Sequence, residues 1–159
     1  MKKIHIILPG GGAKGSFQAG FLYKLCNKYS HKFTITNLDC TSVGALNGST
    51  IITKQYDELK NIWFSINGCT DIFLPWCNIP IIGKVITFII GFFFKLGLCS
   101  NKYLKKLLEK TLKNKLDKIS INEKSKFRCT VTNIEDGKVE YIDGNNYNIL
   151  DYVLASASP

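Results

Sequence analysis

Two tight turns, each placed between a short strand and a helix, constrain the fold of this chain more than any other feature. The first turn spans residues 10–15, after the apolar run 3–8, and the second spans residues 40–44, after the alternating run 33–39. Runs of this kind predict strands, and apolar residues at helical spacing after each turn predict helices. Two successive strand–turn–helix units predict an α/β fold whose mainly parallel sheet has both turns at its carboxyl edge.

Ser42 lies in the second turn, and its position is typical of a nucleophile. A serine at a sharp turn between a strand and a helix presents its hydroxyl above the sheet, and the following amide, that of Val43, can donate to an oxyanion. The first turn adds the consecutive amides of Gly10, Gly11 and Gly12, which we expect to converge on the same oxygen. The two turns together predict acyl-transfer chemistry.

The first turn also fits a dinucleotide-binding pattern, which gives a competing hypothesis. Gly10, Gly12 and Gly15 match G-x-G-x-x-G, and Asp39 ends the next strand, where an acid can bind ribose. This hypothesis assigns no role to the turn at Ser42. A phosphate-binding loop of the G-x-x-x-x-G-K-[ST] kind is excluded, because Gly15 is followed by serine and not by lysine.

Length and charge narrow the possible partners. The 159 residues indicate one domain, and the net charge of +9 comes from 21 basic residues, of which only Arg128 is an arginine, against 12 acidic ones. Because bidentate recognition of bases and phosphates depends on arginine, nucleic acid is not an expected partner. The lysines either favour an anionic lipid surface or only solvate the protein.

The six cysteines do not indicate a metal site, since they form no C-x-x-C pair and have no nearby histidine. No metal and no organic cofactor is expected. The apolar run at residues 4–8 is too short for the core of a secretion signal. The expected location is therefore intracellular, either cytoplasmic or peripherally membrane-associated, with reduced thiols.

Residues 79–98 form the most apolar stretch of the chain. Lys84 and Lys95 interrupt it, and the segment between them is well below the roughly 20 residues of a spanning helix. A lid, an interfacial membrane segment and a buried helix all fit this stretch. Beyond it, the pattern predicts a helix over 103–116, strands over 127–133 and 138–142 around a turn at Asp136 and Gly137, and a helix from Asp151.

A triad of serine, aspartate and histidine in the order of the α/β-hydrolases is excluded. That order requires a histidine after the serine, and both histidines, His5 and His31, precede Ser42.

The two turns resemble those of the patatin-like phospholipases and acyl hydrolases. In that family a Gly-Gly-Gly-x-[Lys/Arg]-Gly loop forms the oxyanion hole, and residues 10–15 match it with Lys14 as the basic member and Gly15 as the last glycine. The G-x-S-x-G nucleophile elbow is matched by residues 40–44, which end at Gly44. The resemblance implies a three-layer α/β/α fold, a Ser-Asp dyad without histidine, phospholipase A-type ester hydrolysis of phospholipid or another lipid ester, and peripheral contact with a membrane.

The sequence departs from the family at two places. Cys40 replaces the first glycine of the elbow; we expect this small thiol to be tolerated and not to be the nucleophile. The family's aspartate follows a segment similar to residues 155–159, and no residues follow that segment here. Asp136 and Asp143 precede the segment and are expected to be turn residues.

These departures predict that residues 1–159 form one patatin-like domain, incomplete at its C-terminus, with little hydrolytic activity. The alternative is a catalytically inactive patatin-like remnant that binds a membrane surface through residues 79–98 and the lysines.

Overall fold

The computed structural model describes residues 1–67, 101–116, 118–124 and 126–158. Its N-terminal part alternates strands with helices, as the two turns predict. The elements are β1 (Lys2–Leu8), a 3₁₀ turn (Gly12–Lys14), α1 (Gly15–Tyr29), a second 3₁₀ turn (Ser30–Lys32), β2 (Phe33–Thr41), α2 (Val43–Ile52) and α3 (Tyr56–Ser65).

The elements of the C-terminal part follow the predicted order. They are α4 (Lys102–Leu108), a π-helical segment (Glu109–Lys113), α5 (Asn114–Leu116), α6 (Ile121–Lys124), β3 (Phe127–Thr132), β4 (Val139–Asp143) and α7 (Ile149–Ala157). The predicted helix over 103–116 is confirmed as a helical run, but it contains a wide π turn that its apolar spacing does not indicate. The predictions for residues 79–98 concern a segment outside the described residues.

The sheet has the order β1-β2-β3-β4, with β1, β2 and β3 parallel and β4 antiparallel to β3. Leu8 at the end of β1 is paired with Cys40 near the end of β2, and Cys40 is paired with Cys129 of β3. The carboxyl ends of β1 and β2 are therefore neighbours, and the two predicted turns lie side by side. The mainly parallel sheet flanked by helices confirms the predicted α/β fold.

One face of the sheet carries the buried core. Leu38, Cys40, Phe127 and Cys129 are almost completely buried on it. Because parallel crossovers are right-handed and the strands follow one another in one direction, the connecting helices lie on this same face. The opposite face of the sheet carries Ile7, which is exposed and is paired with Asp39 of β2.

Two glycines of α2 let this helix lie close to the strands. A side chain at Gly44 would overlap the carbonyl of Leu8, and one at Gly48 would overlap the sulfur of Cys40. The extra side chain that Cys40 brings to the elbow is thus accommodated because residue 48 has none. The expectation that a thiol is tolerated there agrees with this packing.

The two aspartates before the last helix are turn residues, as predicted. The carboxylate of Asp136 accepts from the amide of Lys138 at 3.0 Å in the hairpin turn, where Gly137 has a φ of 70°. The carboxylate of Asp143 accepts from the amide of Asn145 at 2.8 Å. Both side chains stabilise local turns.

Among the helices that the structure describes, none combines the length and the apolar character that crossing a membrane requires.

Candidate functional site

Ser42 forms a strained turn between β2 and α2. Its backbone has a φ of 55° and a ψ of −127°, in a region that residues other than glycine rarely adopt. Its carbonyl accepts from the amide of Ala45 at 2.8 Å, so α2 begins directly after the serine. The half-buried side chain makes no hydrogen bond through its hydroxyl within the described ranges. This is the sharp strand-to-helix turn that the sequence predicts.

Gly10 lies beside Ser42. A Cβ atom placed on Gly10 would be 3.1 Å from the Cβ and 3.7 Å from the Oγ of Ser42. A side chain at position 10 would therefore fill space next to the hydroxyl. The structure brings the glycine loop and the serine together, although they are some thirty residues apart in the chain.

The rest of the glycine loop is an exposed 3₁₀ turn. The amide of Lys14 donates to the carbonyl of Gly11 at 3.1 Å, and Gly12 has a φ of 54°, which favours glycine. In the part of the chain that the structure describes, the amides of Gly10, Gly11, Gly12 and Val43 donate to no protein acceptor; these are the predicted oxyanion-hole amides. Lys14 is exposed on the same turn.

Gly15, the last glycine of the loop, sets the distance between α1 and α2. A side chain there would overlap that of Val43 and would lie 2.9 Å from the ring of Trp63. The glycine loop can therefore approach the elbow only because position 15 has no side chain. Gly15 and Gly44 both allow close packing near the Ser42 turn. Gly15 does so between α1 and α2, and Gly44 between α2 and β1.

Asn47 connects three helices and was not singled out from the sequence. Its buried side-chain amide donates to the carbonyl of Gly15 at 3.0 Å and to Oε1 of Gln18 at 3.1 Å. Its Oδ1 accepts from the indole of Trp63 at 2.9 Å. Gln18 in turn donates to the carbonyl of Pro9 at 2.9 Å. These bonds, which we call the amide relay, fix both ends of the glycine loop relative to α2.

Ser156 of α7 was also not assigned a role from the sequence. Its hydroxyl accepts from the amide of Ser42 at 2.8 Å and donates to the carbonyl of Thr130 at 2.7 Å. The strained turn is thereby tied to β3 through one side chain. Ser156, which belongs to the segment that resembles the family, therefore has a structural function at the elbow.

A cavity of about 470 Å³ opens beside Ser42. Such a volume is typical of a small-molecule site. The lining is mostly apolar and comes from the glycine loop and the helices α2, α3 and α4 with the π-helical segment. It includes Gly12, Ser16, Val43, Leu46, Leu59, Ile62, Trp63, Leu104, Leu108 and Leu112.

The thiol of Cys40 is unsuited to nucleophilic attack. Burial raises its pKa far above the ordinary range of a thiol, and burial raises the pKa of neighbouring Cys129 to about 11. Neither sulfur is therefore a thiolate at neutral pH. Ser42 is the nucleophile candidate at this turn.

No acid or histidine of the described ranges hydrogen-bonds to the hydroxyl of Ser42. The carboxylate of Asp39 binds Nε2 of His5 at 2.6 Å and the guanidinium of Arg128 at 2.7 and 3.0 Å. The dinucleotide hypothesis requires Asp39 to bind ribose, but its carboxylate is already paired with His5 and Arg128. His31 lies in the exposed 3₁₀ turn after α1.

Comparison with known proteins gives a family match. None of the curated proteins compared with the chain matches it. A family model described as Patatin-like phospholipase matches residues 6–158, a range that includes the glycine loop, the elbow and the helix of Ser156. The chain therefore belongs to the patatin-like phospholipase family.

Proposed function

We propose that the protein is a lipid acyl hydrolase in which Ser42 attacks the ester carbonyl. Family membership implies hydrolysis of lipid esters, and the observation that carries the finer proposal is the strained turn at Ser42 beside Gly10. A backbone held in an unfavourable conformation at a half-buried hydroxyl is typical of a functional residue.

In the proposed reaction, the Ser42 oxygen bonds to the carbonyl carbon and its proton passes to a base. The carbonyl oxygen becomes an oxyanion, for which the amides of Gly10, Gly11, Gly12 and Val43 are the proposed donors. Their lack of a protein acceptor among the described residues supports this role. Collapse of the intermediate expels the lipid alcohol and leaves an acyl-enzyme, which water then hydrolyses.

The cavity beside Ser42 is the proposed acyl-chain site. Its apolar lining from α2, α3 and α4 suits a hydrocarbon chain whose carbonyl end lies at the serine. Phospholipids and other lipid esters both fit this description. No metal or organic cofactor enters the proposed reaction.

The base is expected to act as in the family's Ser-Asp dyad. In the described ranges, Asp39, Asp136 and Asp143 have other hydrogen-bond partners, and none binds the hydroxyl of Ser42. Without such a base we expect ester turnover to be slow, since oxyanion stabilisation alone retains an acceleration of about 10³ over water.

The second candidate function is lipid-surface binding without catalysis, in which Ser42 has no chemical role. The net charge of +9 favours contact with an anionic lipid surface, which both hypotheses include. Its proposed attachment segment, residues 79–98, lies outside the described residues.

Labelling with a fluorophosphonate separates the two functions, because the probe reacts with an activated serine hydroxyl. We expect the wild-type chain to be labelled at Ser42 and Ser42→Ala to be unlabelled, with Ser49→Ala, a buried serine on α2, as the matched control that stays labelled. Hydrolysis of a p-nitrophenyl ester should depend on Ser42 in the same way. A folded wild-type chain that is not labelled would favour the non-catalytic function.

A further inference from the structure

Three aromatic side chains project into solvent from the neighbouring helices α1 and α3. Phe17 is 82% exposed, Phe21 is 60% exposed and Phe64 is 78% exposed. Phe17 and Phe21 are one helical turn apart. Single exposed apolar residues are ordinary, but several aromatic rings on adjoining elements indicate an interaction site. We call these three residues the aromatic rim.

The two helices of the aromatic rim are in contact. The Nζ atom of Lys60 on α3 lies 5.5 Å from the ring of Tyr23 on α1 and 5.8 Å from the ring of Phe64. The lysine therefore lies between the helices and contributes a positive charge next to the rings. Lys60 and Phe64 thus lie where α3 meets α1.

Two phenylalanines of the aromatic rim are next in sequence to residues that line the cavity beside Ser42. Phe17 directly follows Ser16, and Phe64 directly follows Trp63; both of these preceding residues line the cavity. A ligand that covers these two rings thus lies close to residues of the cavity.

The charges around the aromatic rim are mainly positive. Helix α1 contains no acidic residue, and Lys24 and Lys28 continue the exposed stripe of Phe17 and Phe21 at helical spacing. The acids of α3 are confined to its first turn, at Asp57 and Glu58, whereas Phe64 is near its end.

We infer that the aromatic rim docks on an anionic lipid bilayer. Exposed rings flanked by lysines are the composition of surfaces that lie in the membrane interface, where rings insert between headgroups and lysines contact phosphates. The inference rests on the proposed function, since docking there presents the cavity and Ser42 to the lipid. If the aromatic rim bound a protein partner and not vesicles, the inference would be wrong.

The test is co-flotation with phosphatidylcholine vesicles that contain or lack phosphatidylserine. We expect the wild-type chain to bind the anionic vesicles, and Phe17→Ser with Phe21→Ser to lower the partition coefficient by about tenfold or more, because two rings no longer insert. The matched control, Ile134→Ser with Tyr147→Ser, removes two even more exposed apolar side chains elsewhere and should bind as the wild type does.

A second pair of variants tests the charges. Lys24→Gln and Lys28→Gln should each weaken binding to the anionic vesicles by about fivefold and leave binding to neutral vesicles unchanged. Melting temperatures show whether the variants are folded; the substituted side chains are exposed and support no core contact.

The inference is wrong if the wild-type chain does not bind vesicles, or if the phenylalanine pair and the control pair bind equally. Fluorophosphonate labelling of the wild-type chain without vesicles tests the proposed function independently of the docking. Unlabelled Ser42 with intact rim-dependent binding contradicts the catalysis alone, and labelled Ser42 without rim-dependent binding contradicts the docking alone.

Discussion

The amide of Ser42 donates a 2.8 Å hydrogen bond to the hydroxyl of Ser156, which lies 114 residues later in the chain. The same hydroxyl donates to the carbonyl of Thr130 on β3. A strained backbone persists only where its surroundings hold it in place. The last helix therefore stabilises the turn that presents the candidate nucleophile.

Replacing Ser156 with alanine should weaken both the fold and the turn. The half-buried amide of Ser42 and the carbonyl of Thr130 lose their partner, which costs about 1–3 kcal/mol of unfolding free energy. Urea denaturation measures this loss, and the rate of fluorophosphonate labelling of Ser42 should fall with it. Ser65→Ala, which removes an exposed hydroxyl bound to its own helix, is the control. Equal effects of the two substitutions would contradict the role of Ser156.

The amide relay predicts a large cost for Asn47→Leu. The substitution keeps the volume but leaves the carbonyl of Gly15, Oε1 of Gln18 and the indole N–H of Trp63 without their buried partner. We expect a loss of about 3 kcal/mol or more in unfolding free energy. In proton NMR, the indole N–H resonance of Trp63 should shift and exchange faster with solvent. Asn27→Leu, at an exposed position of α1, should leave both measurements unchanged.

The close packing of α2 on β1 predicts that Gly44→Ala destabilises the protein. The new methyl group would overlap the carbonyl of Leu8, a backbone atom that cannot rotate away. Overpacking of this kind costs about 1–3 kcal/mol or more.

Gly20 provides the opposite case on α1. No atom lies within 4 Å of a Cβ placed there. Because alanine favours a helix over glycine, Gly20→Ala should stabilise the chain by about 0.5–1 kcal/mol. Melting curves of the two variants give the signs; a stable Gly44→Ala variant would contradict the packing.

Asp39 predicts a dependence of stability on pH. The hydrogen bonds from Arg128 hold the pKa of the Asp39 carboxyl below its usual value, with a smaller contribution from His5. A depressed pKa in the folded state stabilises the protein above the ordinary carboxyl pKa of about 3.9, and this stabilisation is lost as the pH falls toward the lower folded value.

Arg128→Gln should therefore cost about 1 kcal/mol at pH 7, since the pair is bidentate but only partly buried. The difference from wild type should shrink as the pH falls below about 4. Urea denaturation across this pH range measures it, with Lys138→Gln at the more exposed Lys138–Asp136 pair as the control. A difference that is constant with pH would show that Arg128 acts through packing alone.

The parts of the site that depend on local rules were predictable from the sequence. The turns at Gly10–Gly12 and Ser42 follow from glycine spacing after a strand, and their meeting follows from the parallel pairing of β1 with β2. Asp136 and Asp143 were assigned correctly because turn residues bind amides only two positions away.

The supporting contacts were not predictable, because they join residues that are distant in the chain. Asn47 lies 32 residues from Gly15 and 16 from Trp63, and no short pattern encodes their meeting. The space for the sulfur of Cys40 on β2 likewise depends on a residue in a different element, Gly48 on α2. An asparagine in a mostly apolar helix was the available signal, since a buried amide requires partners.

The backbone of Ser42, with its φ of 55°, bears on why a serine is present at all. Glycine adopts this conformation without steric cost, whereas a side chain there costs on the order of 1–3 kcal/mol. A sequence chosen for thermal resistance alone would place glycine at position 42. The serine at this position therefore lowers the stability of the fold and places a hydroxyl oxygen at the turn.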